Sequence, residues 1–113
     1  QQQAFTEDDP RRGLVEDYLE VLLPTGWAGM GVEKRRAWFQ EDDSIREAGT
    51  QQRDYISAVE VWAECFGNDP HRFPRQDRAE VNTILRQLQG WKEEPRRQRC
   101  GPYGQQTRFR RVP

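Results

Sequence analysis

The sequence predicts a mostly α-helical chain with a small β-hairpin, ordered as a winged helix-turn-helix preceded by an N-terminal helical extension. Three observations carry this expectation. Two segments with apolar residues at helical spacing, around 57–66 and 74–88, are separated by Gly67 and the Asn68-Asp69-Pro70 turn. A short extended run lies before the first of them. After the second, two Arg-bearing extended runs flank Gly101-Pro102-Tyr103-Gly104, the pattern of a hairpin.

Each element follows from local chemistry. Residues 1–8 are expected to be disordered. Asp9 offers an N-cap oxygen and Pro10 suits a first helical position. Leu14, Val15, Tyr18, Leu19 and Leu22 then recur at helical spacing, so a helix is expected over 10–22, ended by Pro24, Gly26 and Gly29. A second short helix is expected over Val32–Phe39, with Trp38 and Phe39 turned inward, and Glu41-Asp42-Asp43 reads as an acidic loop. Residues 9–50 thus form the helical extension and 51–113 the winged-helix-like domain. In the latter, Gln51–Ile56 is a candidate strand, and Ser57 with Glu60 makes a capping box that starts a helix. Its stripe is Val59, Trp62, Ala63 and Phe66, and Gly67 ends it. The next helix, about Pro74 to Leu88, should bury Val81, Ile84, Leu85 and Leu88, with Gly90 closing it. Pro95 and the Gly-Pro-Tyr-Gly turn forbid another long helix, leaving hairpin arms at Arg96–Cys100 and Gln105–Val112.

With 113 residues the chain fits one domain. Only 34% of residues are apolar and 33% are charged, so the core is modest; four Trp, three Tyr and five Phe supply large buried areas to offset this. No apolar run approaches the roughly 20 residues of a membrane helix, and the polar, acidic start is not a secretory signal. The chain opens on Gln1-Gln2-Gln3 and is expected to be a piece of a larger cytoplasmic protein. Cys65, Cys100 and His71 lie apart, without the paired spacing of a zinc site, so reduced thiols and no metal or other cofactor are expected.

The net charge of −1 conceals an asymmetry. Residues 1–71 hold 7 Lys and Arg against 15 Asp and Glu, whereas 72–113 hold 11 against 4. Such a split points to a polyanionic partner or to attraction between the halves. Ten of the 11 basic residues from Arg72 onward are Arg, whose planar fork matches phosphate oxygens. In a helix-turn-helix the second helix turns its solvent face to DNA. Here that face should carry Arg75, Arg78, Asn82, Arg86 and Gln89, able to meet base edges or phosphates. Asp77 and Glu80 interrupt the basic face and suit the helix N-terminus. The wing adds Arg96, Arg97, Arg99, Arg108, Arg110 and Arg111, and Tyr103 at the turn is a candidate to stack on a base or to pack the turn.

Residues Arg53–Arg111 resemble the C-terminal region of the virulence-associated protein E family, bacterial and phage proteins of mobile elements related to primase–helicases. The likeness rests on Glu60-Val61-Trp62-Ala63-Glu64-Cys65, Arg75-Gln76-Asp77-Arg78-Ala79-Glu80-Val81, Ile84-Leu85-Arg86, Gly90-Trp91 and Gly101-Pro102-Tyr103-Gly104 with its trailing Arg. It covers the last 60 residues well and the first 50 loosely. The resemblance implies a helicase ATPase domain upstream and a DNA-engaging, non-catalytic role for this segment. The sequence itself has no phosphate loop: Lys34 and Lys92 are followed by Arg and Glu, not Ser or Thr. His71 has no evident Ser partner, and Glu60 and Glu64 have the spacing of a solvated helix face. The alternative reading is a protein-interaction or self-association module, which exposed Trp27, Trp38 or Tyr18 would favour.

Overall fold

The computed structural model describes residues 9–113; the expected disorder of 1–8 falls outside them. Four helices and two small antiparallel sheets make up the described residues. Helix α1 spans Arg12–Glu20 and α2 spans Val32–Gln40, with a 3-10 turn at Trp27–Gly29 between them. Strand β1, Tyr55–Ser57, runs straight into α3, Ala58–Glu60, which continues as a π-helical turn through Val61–Cys65. Helix α4 is Arg75–Gln87. Then come β2 (Trp91–Glu93), β3 (Gln98–Arg99), a 3-10 turn at Gly101–Tyr103, β4 (Gln105–Gln106) and β5 (Arg108–Arg111).

The larger sheet has the order β1-β5-β2, all antiparallel, so the last strand inserts between the first two. Its register aligns Ile56, Phe109 and Glu93 in one row and Tyr55, Arg110 and Lys92 in the next. Alternation sends Ile56 and Phe109 to the core and their neighbours to the other face. One apolar cluster joins Val15 and Leu19 of α1, Ile56, Val61 of the π-helical turn, Val81 and Leu85 of α4, and Phe109. Each such side chain contributes about 1.5–3 kcal/mol by leaving water. A second cluster packs Leu23, Trp27 and Trp38, with Phe39 edge-on to both Trp rings at 5.6 and 5.0 Å.

Several expected boundaries change. Helix α1 begins at Arg12, because Asp9 and Pro10 form a turn in which Asp9 Oδ1 accepts the Arg11 amide at 2.9 Å. It ends at Glu20, before Val21 turns extended. Leu14 and Leu22, expected on its buried stripe, are 52% and 48% exposed. The strand expected over Gln51–Ile56 shrinks to Tyr55–Ser57, because Gln51 instead bridges Leu23 in the extension. Gly49 permits that bridge: a Cβ there would lie 1.9 Å from the Leu22 carbonyl oxygen. The hairpin is longer than expected. Its base is β2 with β5, and the expected arms supply only its outer part, β3 with β4.

Candidate nucleic-acid interface

The capping box forms as its residues dictate. Glu60 Oε2 accepts the Ser57 amide at 2.8 Å and the Ser57 hydroxyl at 2.9 Å. The Phe66 amide then bonds Val61 O at 3.0 Å, five residues back, and this π spacing turns both Val61 and Glu64 into the interior. Gly67, at φ +72°, ends the helix, and Trp62 stacks on Phe73 at 4.7 Å across the turn to α4.

Helix α4 buries Val81, Ile84 and Leu85, and so turns Arg75, Arg78 and Arg86 to solvent with Asn82 at the margin. Arg78 lies over the Phe73 ring at 4.9 Å. Across from it, Arg97 of the hairpin is fixed by donating to the Gln105 carbonyl at 2.5 Å. Arg78, Asn82, Arg97, Gln106 and Thr107 line a groove of about 280 Å³ between α4 and the hairpin, floored by Ala58 and Phe73. Among the described residues no carboxylate lines it. Clefts elsewhere carry acids: Asp54 and Glu60 in one, Glu16 and Glu20 in another, Asp9 and Glu80 in a third. Among the described residues Asn82 Oδ1 is buried without a hydrogen-bond partner, an unused acceptor in a groove that also holds Arg78 and Arg97. Of the two acids that interrupt α4, Glu80 is paired from the N-terminal side by Arg11 at 3.0 Å.

The structure brings together three of the expected site residues, Arg78, Asn82 and Arg97, and adds Gln106 and Thr107. Arg86 is held by Glu93 at 2.8 Å, and Arg108 is held by Glu94 while lying over Tyr55 at 4.8 Å. Both carboxylates are drawn below their usual range, chiefly by the hydrogen bonds from these arginines. Arg75, Arg96 and Arg99 are exposed and make no ion pair among the described residues, and Arg110 lies on the sheet face away from the core.

Tyr103, expected at an open tip, folds back toward the Trp27–Gly29 turn, where its hydroxyl donates to Glu64 Oε2 at 2.8 Å. Burial, reinforced by the Glu64 charge, pushes its phenol well above the usual range. Glu60 and Glu64, expected on a solvated face, are both buried and meet two buried arginines, Arg35 and Arg53. Glu64 Oε1 accepts from Tyr18 at 2.7 Å and from Arg53 at 3.4 Å, and Glu60 Oε1 from Arg35 at 3.4 Å. Arg35 also donates to Trp27 O at 2.9 Å and lies 4.9 Å from its ring. Gly101, at φ +57°, leaves room for that guanidinium, which a Cβ would approach to 2.8 Å. This cluster anchors the hairpin turn to α1, α2 and α3 and so sets where the wall of the groove stands.

Burial raises the Cys65 thiol to about 12 and the Cys100 thiol to about 11, so both are protonated and unreactive at neutral pH. Among the described residues no group of three or more His, Cys, Asp and Glu converges as metal ligands would, and no helix is long and apolar enough to cross a membrane. No family model matches the chain, and no curated protein matches it in sequence.

Proposed function

We propose that the chain is a winged-helix-type module that binds DNA through its phosphates, as the non-catalytic C-terminal part of a phage or mobile-element replication protein of the virulence-associated E kind. The observation that carries the reading is the groove in which Arg78 and Asn82 of α4 face Arg97 of the hairpin with no acid on the walls. Two guanidinium forks with neutral amide and hydroxyl donors between them suit phosphate oxygens. The order helix, strand, helix, helix, hairpin, with β5 seated between β1 and β2, supports the winged-helix assignment. In this reading α4 enters the major groove, Arg75 and Arg86 extend the contact along it, and the hairpin follows the backbone. ATP-driven work belongs to the upstream motor domain that the family resemblance implies.

The interaction-module reading loses its expected signature, since Trp27, Trp38 and Tyr18 are buried. It rests instead on the exposed Leu14 of α1 and Leu22 just beyond its end. Amide chemical-shift mapping with a short duplex separates the two. Shifts at Arg78, Asn82, Arg97 and Thr107 are expected; no shifts there would overturn the DNA-binding reading, and concentration-dependent shifts at Leu14 and Leu22 without DNA would favour self-association.

A further inference from the structure

The sheet face away from the core carries an electrostatic misfit. Lys92 of β2 and Arg110 of β5 are Cα partners in adjacent strands, and both are exposed. Like charges directly opposite one another weaken an antiparallel pair. The neighbouring cations are matched: Arg108 with Glu94, Arg111 with Glu20 at 3.1 Å, and Arg86 with Glu93. Among the described residues Lys92 and Arg110 make no ion pair. Glu94 feels Arg110, but its oxygens are taken by Arg108. Asp54 shares a cleft with Arg110 without pairing to it. The sheet therefore keeps two like charges opposite one another where one acidic residue would have relieved them.

The groove and this pair lie on opposite faces of the same hairpin, because α4 covers the Phe109 side and alternation sends Arg110 to the other. A duplex is stiff over roughly 150 base pairs and cannot fold around a two-stranded ribbon, whereas a single strand can. We propose that Lys92 and Arg110 form a second phosphate-contact patch, which takes a single-stranded segment running on from a duplex held in the groove. This rests on the DNA-binding reading and names the substrate as a duplex with a single-stranded tail.

The test compares a blunt duplex with the same duplex bearing a tail of about 10 nucleotides on either end, a length within the usual site size for a single strand. The wild-type chain is expected to bind a tailed form on the order of tenfold tighter, with a salt slope steeper by about 1.4 for two added phosphate contacts. Arg110→Glu creates a cross-strand pair with Lys92, so its melting temperature is expected to rise by about 1–4 °C. In the same variant the ratio of tailed to blunt affinity should fall to about 1. Lys92→Glu forms the same pair with the signs exchanged and must behave alike. A tail advantage that survives in both variants would overturn the proposal, as would equal wild-type affinity for blunt and tailed DNA. Equal affinity leaves the groove reading standing, whereas wild-type binding to no DNA at all defeats both.

Discussion

At Glu64, Tyr18, Tyr103 and Arg53 donate to two carboxylate oxygens, and Arg35 lies 3.6 Å away. Removing that carboxylate leaves two guanidinium groups buried and short of counter-charge, so Glu64→Ala should cost about 3–5 kcal/mol, read from urea unfolding. Tyr103→Phe deletes one hydrogen bond to a charged group and should cost about 1.5–3 kcal/mol. The Glu60 carboxyl is shifted by its surroundings. Burial and the nearby Glu64 charge outweigh Arg53 and Arg35 and push its carboxyl up to about 7 from the ordinary 4.5. Between those values the folded chain holds a proton that the unfolded chain releases, so Glu60's contribution to stability falls as pH rises through that window. Glu60→Gln should flatten the fall in unfolding midpoint between pH 5 and pH 8; an unaltered fall would refute the assignment. Of this burial only that of Tyr18, on the apolar stripe expected for the first helix, was legible in the sequence. Arg35, Arg53 and Glu64 look like solvated residues because charge alone does not say which side of a helix faces the core, and the π turn that brings Glu64 inward leaves no mark in the spacing.

At the scale of elements the legible signals were those with a local cause. The Ser57–Glu60 capping box, the Val81–Leu88 stripe, Gly67 and the Gly101–Gly104 turn act within one turn of chain, and each stands where its chemistry puts it. Ser57→Ala should destabilise the domain by about 1 kcal/mol through the lost cap, measured by thermal melting. Long-range partners were hidden. Strand β2 is only Trp91–Glu93, and it is held by β5 fifteen or more residues away, so nothing local announced it. Gln106 and Thr107 were missed for the same reason: they line the groove because β5 inserts beside β1, not because of their own pattern. Arg78, Asn82 and Arg97 were legible singly, from the solvent side of α4 and from hairpin composition. That these three share a groove while Arg108 turns to Glu94 required the fold.

For the whole molecule, the two segments read from the sequence as extension and domain share one core. Val15, Tyr18 and Leu19 pack with Ile56, Val81 and Phe109, and Arg111 reaches back to Glu20. A fragment of 51–113 should therefore lack a cooperative thermal transition, while 9–113 retains it; a sharp melt of the shorter piece would show that it folds alone. Opposite charges of the two halves meet in places, Arg111 with Glu20 and Arg11 with Glu80, while among the described residues the groove between α4 and the hairpin is lined by cations and neutral groups alone. The central claim is that this groove engages phosphate. Fluorescence anisotropy of a labelled duplex, titrated at two salt concentrations with the wild-type chain, Arg78→Glu and Arg97→Glu, tests it most directly. Wild-type binding should weaken steeply with salt through counterion release, and each reversal should cost on the order of tenfold at low salt with a shallower slope. Binding that ignores salt, or survives both reversals unchanged, would contradict the account.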